Sequence, residues 1–171
     1  MTTTLFLGGA RSGKSRLALA AAERHPGPLA YLATAEAHDD EMVDRIDRHQ
    51  AERSDRWRTV ECPLALPEAI TGVADGAILV DCLTLWLSNL MLGGHDVAAR
   101  TVDLLAAIAA TPRPLVIVTN EVGLGLVPDH PLGRAFRDEA GRLNQTVAAA
   151  VDASYFVAAG LVLPLRPYDP A

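Results

Sequence analysis

Lysine is almost absent from this 171-residue chain: of its 15 lysines and arginines, only Lys14 is a lysine. Aromatic residues make up 5% of the sequence, and there are two cysteines, Cys62 and Cys82. Each shortage excludes something. With 21 acidic residues and a net charge of −6, no basic face is expected that could hold nucleic acid by neutralising its phosphates. Two cysteines without C-x-x-C spacing suit buried thiols better than a bridge or a zinc site. No apolar run is long enough to cross a membrane, and the Met-Thr-Thr-Thr start lacks the basic region of a secretion signal. The expected compartment is the cytoplasm.

What is present is a chain with 50% hydrophobic and 21% charged residues, expected to form one domain over 1–171. Its single lysine stands in Gly8-Gly9-Ala10-Arg11-Ser12-Gly13-Lys14-Ser15, which reads G-x-x-x-x-G-K-S, the phosphate-binding loop. An ammonium on a flexible stem is a compact point charge that a planar guanidinium does not replace. Residues 4–7 are a short apolar run and 15–24 an Ala/Leu-rich helical stretch, so the loop joins strand to helix as the motif requires. Glycines at 8, 9 and 13 free the backbone to aim successive N–H groups at phosphate oxygens. All eight loop residues are nucleotide-binding candidates, with Lys14 expected to reach the β- and γ-phosphates and Ser15 to hold Mg²⁺.

Apolar strands alternate with helical stretches. The pattern predicts strands at 4–8, 29–34, 58–62, 77–82, 115–119, 155–159 and 161–166, and helices at 15–24, 39–53, 67–73, 83–92, 97–110 and 133–151. Continuous apolar runs at 77–80 and 115–118 suit strands buried on both faces. The expected fold is α/β of the phosphate-loop NTPase type: a mostly parallel sheet with helices on both faces, a RecA-like three-layer arrangement. Ligands in such sheets gather at the carboxyl ends of the strands. That edge should carry the loop, Thr34-Ala35-Glu36, Glu61, Asp81 and Thr119-Asn120-Glu121. Asp81 ends Ala-Ile-Leu-Val-Asp, where an acid is either a second Mg²⁺ partner or a cap for the helix from Leu83. On the predicted helix 39–53, Met42, Ile46, His49 and Arg53 share a stripe, with Arg45 one turn before His49. The residues alone leave His49 balanced between a solvated histidine and one working between phosphate-binding arginines. The loop at 120–128, Arg134, Arg137 and Arg142, and Trp57 and Trp86 read as turn chemistry, a solvated face and packing, respectively.

A switch-type GTPase is excluded, because Asp81-Cys82-Leu83-Thr84 lacks the glycine of D-x-x-G and the sole lysine, in the loop, leaves none for N-K-x-D. A small-molecule kinase or a nucleotidyltransferase remains. A kinase of some other metabolite and a nucleotide-binding regulatory module stay open on residues alone.

Several motifs occur together along the chain: G-G-A-R-S-G-K-S, Tyr31-Leu-Ala-Thr-Ala35, Arg45-Ile-x-x-His49-x-x-x-Arg53-x-x-x-Trp57, Glu61, Val80-Asp-Cys-Leu-Thr84 with Trp86 and Asn89, and Thr119-Asn-Glu-Val-Gly-x-Gly-x-Val-Pro128. Together they closely resemble the bifunctional adenosylcobinamide kinase / adenosylcobinamide-phosphate guanylyltransferase family, over nearly the whole length. The resemblance implies phosphorylation of adenosylcobinamide with ATP or GTP, then transfer of GMP from GTP to that phosphate through a guanylylated histidine, which falls on His49. Arg48 stands where some relatives have another histidine. The resemblance further implies nucleotide or metal contacts at Ala33, Thr34, Ala35, Gln50, Ala51, Glu52, Arg53, Glu61 and Asp81, with Mg²⁺ near Ser15 and Asp81. It also implies a corrinoid substrate and a trimer. Arg45 and Arg53 would disfavour a protonated imidazole and steady phosphoryl charge.

Overall fold

The structure is a computed structural model that describes residues 2–36 and 54–167. Its strands are β1 (Thr3–Gly8), β2 (Leu29–Ala33), β3 (Trp57–Glu61), β4 (Ala77–Asp81), β5 (Leu115–Asn120), β6 (Ala153–Ala158) and β7 (Leu161–Leu165). They form one sheet in the order β3-β2-β4-β5-β1-β6-β7. All pairings are parallel except β6 with β7. The helices are α1 (Lys14–Glu23), α2 (Leu66–Thr71), α3 (Leu83–Leu92), α4 (Val97–Ala110) and α5 (Pro131–Ala150).

Period-two alternation sorts the strand residues between two cores. On one face Leu5, Leu32, Ile78, Val80, Leu115 and Ile117 pack against residues of α2, α3, α4 and α5. On the other, Phe6, Tyr31, Leu79, Val116 and Val118 pack with Ala18 and Ala22 of α1. The expected helices on both faces are therefore present, and α1 is the helix placed on its face among the described residues. The predicted helix 39–53, with His49, lies outside them. At the centre of the larger core Trp86 is fully buried, with its indole N–H donating to the Leu64 carbonyl at 3.1 Å. A buried indole without that acceptor would lose a hydrogen bond to water for nothing in return.

Among the described residues element types match the sequence pattern, and the ends shift where partners set them. β6 starts at Ala153 rather than 155 because its parallel ladder with β1 runs from Thr4↔Ala153. α5 starts at Pro131 rather than 133: proline suits a first helical turn, where an N–H is unpartnered anyway. His130 Nδ1 accepts from the Leu132 N–H to cap it. Between α2 and α4, Arg100 reaches Glu68 at 2.8 Å and Asp103 at 2.9 Å. None of the helices among the described residues is long and apolar enough to cross a membrane.

Candidate nucleotide site

The loop between β1 and α1 is shaped by two backbone reversals. Gly13 takes φ +94° just before α1, and Arg11 takes φ +54° at the exposed tip. Glycine bears such a value without strain, whereas arginine does so at a steric cost. The loop closes on itself through the Ser12 N–H to the Gly9 carbonyl, 3.3 Å, and helix α1 is joined by the Leu17 N–H to the Gly13 carbonyl, 3.1 Å. Lys14 is buried, and its Nζ donates to the Gly9 carbonyl at 3.0 Å. That bond draws the ammonium back across its own loop. Ser15 follows in the first turn of α1, where the helix dipole favours an anion.

The carboxyl edge brings the other predicted residues into register. Ala33 pairs with Glu61 on one side and Asp81 on the other, while Gly8 pairs with Asn120. The order places β5 between β4 and β1, so Asp81 stands two strand spacings from the loop, about 10 Å. The sequence left Asp81 between metal partner and helix cap. The N-cap of α3 is Cys82, without a side-chain cap bond, so Asp81 is not that cap. Its Oδ2 instead accepts from the Tyr31 hydroxyl at 2.9 Å, which orients the carboxylate. The Asp81–Cys82 peptide is cis.

Thr34 lies close to Asp81 through its backbone, the Thr34 N–H reaching the Asp81 carbonyl at 3.3 Å. Its hydroxyl is engaged elsewhere. It donates to the Cys82 carbonyl at 2.7 Å and accepts from the Cys82 N–H at 2.8 Å. Asn89 anchors the same segment, donating to the carbonyls of Thr34 and Pro63 at 2.8 and 3.0 Å. Ala33 and Ala35 are half-buried beside it, and Glu61 is exposed at the end of β3. Gln50, Ala51, Glu52 and Arg53, like His49, lie outside the described residues.

Sequence reasoning did not assign roles to Tyr31 or to the polar chain under β5. There Thr119 Oγ1 donates to Asn144 Oδ1 at 2.7 Å, and Asn144 Nδ2 donates to the Asn120 carbonyl at 3.0 Å. The Asn120 N–H meets Thr84 Oγ1 at 2.7 Å. Both backbone groups of Asn120 are thereby fixed, and the Glu121 N–H continues to the Gly8 carbonyl at 3.0 Å. A lone asparagine in an apolar helix face, Asn144, was the available signal. Trp57, expected to pack, does so edge-on to Tyr31 with ring centroids 6.1 Å apart. Burial pushes the thiols of Cys62 and Cys82 up to about 11, so neither is a nucleophile near neutral pH.

A magnesium ion fits these residues. Among the described residues no group of three or more His, Cys, Asp or Glu could cage a metal. One carboxylate and one serine hydroxyl beside a phosphate site suit an ion that keeps several waters and takes phosphate oxygens as ligands.

The family model for cobinamide kinase / cobinamide phosphate guanyltransferase matches residues 4–165. The chain belongs to this cobinamide kinase / guanyltransferase family. Similar relatives are named bifunctional adenosylcobalamin biosynthesis proteins. CobP of Pseudomonas aeruginosa is 45% identical over 166 residues, covering 95% of this chain and 96% of its own. CobU of Salmonella typhimurium is 44% identical over 179 residues, covering 95% and 98%. Among solved structures, the flagellar accessory protein FlaH from Methanocaldococcus jannaschii overlays with a TM-score of 0.50 at 10% identity, covering 94% of this chain and 74% of that one. That last likeness concerns the fold alone. Family membership gives the chain two linked activities, kinase and guanylyltransferase.

Proposed function

We propose that the chain, acting as one nucleotide-binding domain, phosphorylates the adenosylcobinamide side-chain hydroxyl with ATP or GTP and then converts the phosphate to adenosylcobinamide-GDP with a second nucleotide, GTP. The observation that carries this reading is the loop with Lys14 drawn over it, on the same edge as Asp81, in a chain matched to the family over 4–165. In the phosphorylation, Lys14 and the loop N–H groups hold the transferring γ-phosphoryl as its bond to the leaving diphosphate breaks and a bond to the substrate oxygen forms. In the second reaction a ring nitrogen of His49 attacks the α-phosphorus of GTP, and the α–β bridging oxygen leaves with pyrophosphate. The same loop then holds the pyrophosphate. An oxygen of the cobinamide phosphate next attacks the histidine-bound phosphorus, breaks the P–N bond and frees His49.

Ser15 and Asp81 would hold Mg²⁺, which when bound would neutralise phosphate charge. Tyr31 holds the Asp81 carboxylate in place through its hydroxyl. Ala33, Thr34, Ala35, Gln50, Ala51, Glu52, Arg53 and Glu61 complete the nucleotide contacts by family likeness. The same likeness supports a homotrimer and a cytoplasmic enzyme with a corrinoid substrate.

The experiment is incubation with GTP labelled at the α-phosphate. The expected product is an acid-labile, alkali-stable protein adduct that His49→Ala abolishes while cobinamide phosphorylation persists. An adduct that survives in His49→Ala would remove the histidine from the mechanism.

A further inference from the structure

Two residues, Ala159 and Gly160, separate β6 from β7, at φ +51° and +76°. Positive φ at both central residues is the requirement of a type I′ hairpin turn, usually met by Asn-Gly or Gly-Gly. Alanine takes that conformation against a steric cost. Backbone held in a disfavoured region is a reason to ask what the surroundings gain from it.

The turn lies on the phosphate loop. The Gly160 N–H donates to the Ser12 carbonyl at 2.8 Å. A Cβ on Gly13 would stand 3.3 Å from Gly160 Cα, and one on Gly8 would stand 2.3 Å from the Val157 carbonyl oxygen. A Cβ on Gly9, by contrast, would meet nothing within 4 Å. The hairpin backbone therefore excludes a side chain at Gly8 and crowds one at Gly13, and only Gly9 is left with open space beside it. The bond to Ser12 also has a direction. In a planar trans peptide the C=O and the following N–H point opposite ways. Holding the Ser12 carbonyl toward the turn aims the Gly13 N–H away from the hairpin.

We propose that the β6–β7 turn is a positioning element for nucleotide binding, with Gly160 setting the Ser12–Gly13 peptide so that its N–H is presented to a phosphate. The inference rests on the functional reading above only in taking the loop as the phosphate site. It adds residues 157–160 to the determinants of affinity.

The test is equilibrium binding of ATP and of GTP by titration calorimetry, with Tm measured alongside, on the full chain. Gly160→Val puts a β-branched residue at φ +76° and should weaken both nucleotides about tenfold. Gly160→Ala should weaken them less, and Ala159→Asn, which supplies the favoured turn residue, should leave them unchanged or tighter. Leu163→Thr, on exposed β7 away from the turn, should lower Tm without moving either Kd. Parental affinity in Gly160→Val, or an equal loss in Leu163→Thr, would overturn the proposal. If Gly160→Val does not fold, hydrogen exchange on the unsubstituted chain decides: saturating nucleotide should slow the Gly160 amide several-fold, and an unchanged rate overturns the proposal. Failure of the unsubstituted chain to bind nucleotide would instead overturn the functional reading, and this inference with it.

Discussion

A guanidinium carries the same charge as an ammonium but spreads it over a plane, and Lys14 is the place to test what that difference in shape does. The lysine Nζ folds back onto the Gly9 carbonyl at 3.0 Å from a buried stem, a path too tight for a fork of three nitrogens. Lys14→Arg is therefore expected to keep the charge and lose both reactions, each by roughly a hundredfold or more. Steady-state phosphorylation and adduct formation would check it, and activity within tenfold of the parent would refute the shape argument. Tyr31 acts one step further out. Tyr31→Phe removes the 2.9 Å bond to Asp81 and should raise the Mg²⁺ concentration needed for half-maximal nucleotide binding, with metal-free binding unchanged. The positions of Lys14 and Asp81 at the sheet edge were legible in the sequence because each stands in a short local motif. Tyr31 was not, since a tyrosine in an apolar strand reads as packing until the neighbouring strand is placed beside it. Thr34 was legible only as a position. Its hydroxyl is engaged with both backbone groups of Cys82, across a strand pairing no local pattern reveals.

The helices and strands of the described residues were readable in type because period and composition are local, and less readable in extent because their ends are fixed by distant partners. β6 begins where β1 offers a ladder, and α5 begins where His130 and Pro131 permit it. The most apolar helix, α3, was read correctly at 83–92, and its Trp86 fills the larger core. Trp86→Ala should cost about 3–5 kcal/mol by leaving a cavity, measurable by denaturant unfolding. The tie between α2 and α4 is weaker. Hydrogen bonding from Arg100 holds the Glu68 carboxyl below its usual 4.5. Because the folded value is the lower one, the contribution is present above the unfolded value and lost as pH falls through the folded one. Both side chains meet solvent, Glu68 at 60%, so Glu68→Gln should cost below about 1 kcal/mol at pH 7. The variant and parent should converge in stability under acid conditions below both values. A cost independent of pH would show that the carboxylate charge is not the source.

At the scale of the whole molecule, two groups stand out among the exposed apolar side chains of the described residues. β7 exposes all five of its residues, and Leu124 and Leu126 stand 80% and 97% exposed on the loop after β5. Pro164 in β7 withholds one N–H from the open edge, a common guard against stacking of edges. Sedimentation equilibrium should give a mass near three times 18.1 kDa if the family likeness extends to assembly, and a concentration-independent monomer would refute the trimer. None of this surface was readable in the sequence, where an exposed leucine looks like a buried one.

The central position of β1 has a consequence for the order in which the protein can be completed. The strand that leads into the phosphate loop is made before both of its neighbours, β5 and β6, and the turn that meets the loop is at residues 159–160. A ribosome must deliver the chain through Asn120 before β1 gains one flank and through Ala158 before it gains the other. Nucleotide affinity should therefore emerge late in synthesis, and nascent chains halted before residue 150 should fail to retain GTP although their phosphate loop is already intact in sequence.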